Sequence, residues 1–220
     1  MEFVYNTLGA ALAIALLGVA TWLTLTLRPW RHLPYVRAWV ASYWWTGLGV
    51  FLYAAHAPTE RGTLLLTAFR SCLLMVGAGY LWIGTLRFQG SQVRSLPTVL
   101  APMALYLAAM ARLSAYPPGR SLAFSLGCAP FVLHAAFTLL RNLPPELRRM
   151  GRFTAGVMLV HGLFHALRAV VLAVAWTQAD LLLWVSLGFL EAFPVLVTMA
   201  VAQWMLVEQR VEMRPEASSR

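Results

Sequence analysis

Long apolar runs broken by short polar separators set the pattern of this chain. Seven runs approach the roughly 20 residues a helix needs to cross a hydrocarbon core of about 30 Å. They cover 3–27, 37–56, 63–86, 97–112, 121–141, 153–176 and 181–206. The separators "RPWRHLPYVR", "APTERG", "RFQGSQVRSLP", "SAYPPGR", "RNLPPELRRMGR" and "TQAD" concentrate the breakers and the charge. The pattern predicts an all-α polytopic membrane protein: a seven-transmembrane-helix bundle over 1–206, followed by a cytoplasmic linker or tail at 207–220. The fourth run is the shortest and opens at Pro97, a residue that a helix N-terminus tolerates. Residues 3–27 stay apolar for too long, and lack the basic start, to read as a cleaved signal peptide.

Composition narrows the class. The chain is 60% hydrophobic and 11% charged, too little charge to keep a soluble domain dissolved. A net charge of +9 raises nucleic acid as a partner, but every one of the 17 basic residues is arginine and nearly all lie between apolar runs. That is topological charge, so nucleic acid is rejected. Arg28, Arg31, Arg37, Arg87, Arg94, Arg141, Arg148, Arg149, Arg152, Arg210, Arg214 and Arg220 fall on one side of the alternation, against Arg61, Arg112 and Arg120 on the other. The positive-inside rule then predicts the N-terminus outside and the C-terminus in the cytoplasm. Trp30, Trp39, Trp176 and Trp204 sit near span ends, as an interfacial belt would. Cys72 and Cys128 lie within apolar runs without ligand spacing and read as small buried hydrophobes.

A few ionisable residues interrupt the runs: Arg70, His134, His161, His165, Arg168 and Glu191. Such groups are costly in a bilayer, so they are expected to face the bundle interior. His161, His165 and Arg168 are spaced i, i+4, i+7 and share one helical stripe. Counting depth at 1.5 Å per residue from the outer span ends puts Arg70, Arg168, His165 and Glu191 roughly 10 to 16 Å down, and His134 and His161 roughly 20 to 22 Å down. The count predicts an outer arginine–glutamate cluster with His165, which forms a ligand-binding pocket, and an inner pair of histidines. Pro130 and Pro194 lie within a turn of His134 and Glu191, where helices lining a cavity are often kinked. The bland reading is a staple between the sixth and seventh helices.

The histidines invite a cofactor. His134, His161 and His165 offer imidazoles for a metal ion or a haem, which would make the chain a redox or gas sensor. An HxxxH pair in a late helix also occurs in the seven-helix zinc hydrolases of the ceramidase and adiponectin-receptor type. Here the second span offers only Ser42 and His56, with no acidic helper. Retinal is excluded, since a Schiff base needs a lysine amine and the sequence has no lysine. No internal repeat points to a transporter.

Several stretches carry a resemblance. "YVRAWVASYWWTGLGVFLY" at 35–53, "LLMVGAGYLWIGTLRF" at 73–88, "VHGLFHALR" at 160–168 and "GFLEAFPVLVTMAVAQWMLVEQR" at 188–210 are similar to successive helices of one bacterial membrane region. It is the N-terminal seven-helix sensing region of histidine kinases and diguanylate cyclases. The resemblance implies a sensor in the bacterial cell inner membrane, not an enzyme, with Glu191 in mid-membrane and Glu208 at the exit of the last helix. That helix would signal to a cytoplasmic domain or partner protein. No kinase or cyclase sequence follows within the chain. Such sensors usually pair, and "GAGYLWIG" at 77–84 is the nearest thing to a homodimer face.

Overall fold

A computed structural model of the protein describes residues 2–52, 59–93, 95–112, 117–141, 143–174 and 178–213. His56, Trp176, Arg94, Arg214 and Arg220 lie outside them, as does the tail beyond residue 213. Among the described residues there is no strand. Seven α-helices run Glu2–Thr26 (α1), Pro34–Phe51 (α2), Glu60–Phe88 (α3), Ser95–Arg112 (α4), Pro117–Leu140 (α5), Arg148–Val174 (α6) and Gln178–Glu212 (α7).

The ends have local causes. Pro34 opens α2 with its φ already set for the first turn. Thr59 caps α3, its hydroxyl oxygen accepting from the Gly62 N–H at 3.1 Å. The same helix stops at Gly90, whose φ of 88° is the left-handed conformation that glycine enters without strain. Ser91 N–H then donates back to the Leu86 carbonyl at 3.0 Å, closing the last turn.

Among the described residues, five stretches are long and apolar enough to cross a membrane: Thr7–Thr26, Arg61–Phe88, Gly119–Leu140, Pro145–Val174 and Ser186–Glu212. The sequence pattern predicts seven. The two others are α2, rich in tryptophan and tyrosine and carrying Arg37, and α4, whose apolar stretch is confined to Leu100–Ala109. Outward faces are greasy: Ile14, Leu65, Leu105, Phe137, Leu163 and Val170 are all exposed. On α6 the polarity is inside out, with His161, His165 and Arg168 buried between exposed Leu163, Leu167 and Val170. A water-soluble protein would not bury its charge and expose its leucines, so the chain is built for lipid.

Six helices close a ring in the order α1, α2, α3, α5, α6, α7 and back to α1, while α4 packs outside against α3 and α5. The most extensive packing joins α2 to α3 and α5 to α6. Glycines explain the first pair. A Cβ at Gly77 would strike the Thr46 hydroxyl, and one at Gly84 would strike the Trp39 indole. Gly77 and Gly84, two of the three glycines of "GAGYLWIG", are thus taken up by the α2–α3 contact within one chain, as small residues let membrane helices approach.

One end of the ring is densely filled. Tyr35, Trp39 and Phe88 stack with ring centroids 5.2 to 5.7 Å apart. Arg210 of α7 lies over Phe88 at 4.3 Å and over Tyr35 at 5.5 Å, and donates to the Phe88 carbonyl. Deeper in, the Tyr43 hydroxyl donates to Gln203 at 3.0 Å. The exit of α7, read from sequence as a linker from 207, therefore continues helical to Glu212 with Val207 fully buried and Arg210 clamped to α2 and α3.

Candidate functional site

The other half of the ring holds a cavity. Its volume is about 100 Å³ and all six ring helices line it. Space of that size holds several waters or a small organic group. The walls are mostly apolar, but α6 contributes His161, His165 and Arg168, α7 contributes Glu191, and α2 contributes Ser42, Tyr43 and Thr46. The α6 residues arrive there because their i, i+4, i+7 spacing lies on the stripe that also buries Met158, Gly162 and Leu172.

Within the site, the carboxylate of Glu191 meets His161, not an arginine. His161 Nδ1 lies 2.9 Å from Oε1 and 3.1 Å from Oε2, and both side chains are largely buried. Arg168 turns toward α5 instead, its guanidinium 6.0 Å from the centre of the Phe124 ring. It also reaches α7: a Cβ at Gly188 would lie 3.3 Å from Arg168 Nη1, so a side chain there would make the guanidinium give by a few tenths of an ångström.

Between them stands His165. Its ring is flanked edge-on by His161 at 4.8 Å, Phe124 at 5.7 Å and Phe164 at 6.1 Å. The residue is 8% exposed, and its Nδ1 is buried without a hydrogen-bond partner among the described residues. Leaving a buried polar atom unmatched costs about 1–3 kcal/mol. A cavity edged by that nitrogen and by Arg168 is equipped to hold a ligand with an anionic or hydrogen-bonding group. Ser42 and Thr46 across the cavity give their hydroxyls to backbone carbonyls of α2.

Of the four residues predicted from sequence to form a ligand pocket, His165, Arg168 and Glu191 share the cavity. Arg70 is absent from its lining and lies on α3 within electrostatic reach of Arg120. The expected inner histidine pair does not form. His134 is exposed on the outer side of α5, where its Nδ1 accepts from Trp82 Nε1 at 2.6 Å. Among the described residues no three His, Cys, Asp or Glu side chains converge. His134, on the outer side of α5, is thus not brought together with His161 and His165 as a three-ligand metal set.

Sequence reasoning missed Tyr43 and Thr46, which carry no charge to mark them. It also missed Gly188, whose role depends on a neighbour twenty residues earlier. No protein family matches the chain, and no curated protein or solved structure matches it either.

Proposed function

We propose that the chain is a seven-helix membrane sensor, a receptor-type module without catalytic activity of its own. It binds a small anionic or amphipathic ligand, or registers the state of the bilayer, at the polar lining of the central cavity. It passes the result along α7 to a cytoplasmic domain or partner protein. α2 and α4 complete the seven crossings, since 18 residues each give a rise of about 27 Å. The arginine bias supports an outside N-terminus and a cytoplasmic C-terminus, in the inner membrane of a bacterial cell.

One observation carries this reading. Among the described residues, a buried imidazole nitrogen without a partner and a buried guanidinium edge the same cavity. The resemblance of residues 160–168 and 188–210 to a sensing region agrees with it. The output route is α7, which lines the cavity at Glu191 and runs unbroken to Glu212. A ligand shifts it by binding one arrangement of α6 and α7 better than another.

Thermal unfolding of the purified protein against a panel of small carboxylates and phosphate esters tests the site. At least one compound raises the melting temperature of the wild type, and the rise disappears in Arg168→Ala and in His165→Leu. Identical stabilisation profiles in all three proteins would overturn the pocket.

A further inference from the structure

The size and walls of the central cavity restrict what it can hold. At about 30 Å³ per water, its volume of about 100 Å³ has space for roughly three waters, or four to six bonded non-hydrogen atoms. An engineered apolar cavity of about 150 Å³ takes up benzene, so the occupant here is smaller still. Sugars, nucleotides and long acyl chains are too large.

Several polar groups of the lining are already matched. The Ser42 hydroxyl donates to the Trp39 carbonyl at 2.8 Å, and the Thr46 hydroxyl to the Ser42 carbonyl at 2.8 Å. Tyr43 gives its proton to Gln203 at 3.0 Å, and the Glu191 carboxylate meets His161 at 2.9 Å. His165 Nδ1 differs: it is buried and, among the described residues, without a hydrogen-bond partner. Arg168 brings a guanidinium to the same wall, a planar fork whose shape fits a carboxylate. A rise of about 4.5 Å along α6 separates the two residues, so one small anion can touch both. Leu12, Val50, Leu74, Leu196 and Met199 give the cavity a wall of hydrocarbon.

One polar corner in an apolar space matches a molecule with one charged end and a short alkyl body. A second negative charge, as on a dicarboxylate or a phosphate monoester, would sit buried with Glu191 and with no further arginine in the described lining to offset it. An amine would meet the guanidinium with like charge.

We propose that the cavity binds a short-chain monocarboxylate of about two to four carbons. The His165 Nδ1–H and the Arg168 guanidinium donate to its carboxylate, and its alkyl end lies against the leucines. The proposal rests on the sensor reading above and names the class of ligand for that pocket.

Equilibrium dialysis of the full chain in detergent with radiolabelled propionate tests it, with 1-propanol, glutarate and methyl phosphate as competitors. Propionate binds saturably, and each competitor is at least about tenfold weaker than unlabelled propionate. His165→Leu weakens propionate about tenfold. Ala192→Leu grows into the cavity from α7 and leaves both polar side chains in place. It abolishes propionate binding, while its melting temperature without ligand stays at or above the wild-type value. Ala78→Leu repeats the test from α3, so the outcome does not depend on one variant folding. A competitor as strong as propionate, and lost in His165→Leu, would overturn the monocarboxylate while leaving the pocket standing. No binding of propionate, or binding unchanged in His165→Leu or in the filled cavities, would also overturn it, and the wider panel of anions above then decides whether the pocket falls too.

Discussion

The two ends of the ring solve the same problem differently. Around Arg210 aromatic rings stack on one another, and its guanidinium lies over their faces and donates to a carbonyl. Around Arg168 a cavity remains, and among the described residues a histidine nitrogen is left without a partner. Both ends set an arginine against a phenylalanine ring, so composition does not separate them. What differs is completeness. A filled end has one arrangement, whereas an end with free volume and an unmatched polar atom has arrangements left to choose from.

Three substitutions sharpen the contrast. Phe88→Ala, at the filled end, removes a fully buried ring and should cost about 3–5 kcal/mol in denaturant or thermal unfolding. A small loss there would mean that the aromatic stack is not the rigid half. At the cavity end, Glu191→Leu strips His161 of its partner and should cost about 1–3 kcal/mol, with most of the loss restored in the double variant His161→Leu/Glu191→Leu. Additive losses would show that the two side chains are not coupled. Smallest is His165→Leu, which replaces an unmatched imidazole by an apolar side chain. It should leave stability within about 0.5 kcal/mol of wild type, or raise it, in the absence of ligand. Marked destabilisation would mean that His165 serves the fold.

Much of the fold was legible because a bilayer permits few patterns. Runs of apolar residues and their separators mark the helices, and the i, i+4, i+7 stripe of α6 does turn inward with all three polar residues buried. The partner of Glu191 was not legible. Depth counted from assumed span ends sets it level with Arg168, yet His161 lies thirteen residues before the end of α6 at Val174 and Glu191 thirteen after the start of α7 at Gln178. A few residues of error at each end shift the register by a full turn. His134 failed for another reason, since depth says nothing about direction. The stripe Cys128, Val132, Ala135 and Leu139 is buried, and His134 falls one position off it. Small residues on α5 carried that signal; the more conspicuous histidine concealed it.

Closure of the ring between its first and last helices has a consequence for biogenesis. As the chain emerges, α2 with α3 and α5 with α6 can dock as hairpins, with Phe124 of α5 beside His165, but His161 lacks its Glu191 partner until α7 has entered beside α1. The half-made protein must therefore tolerate a polar flank toward lipid for as long as translation takes to deliver the final helix. Any lesion that delays or removes that helix would leave an open, wet-sided intermediate in the membrane.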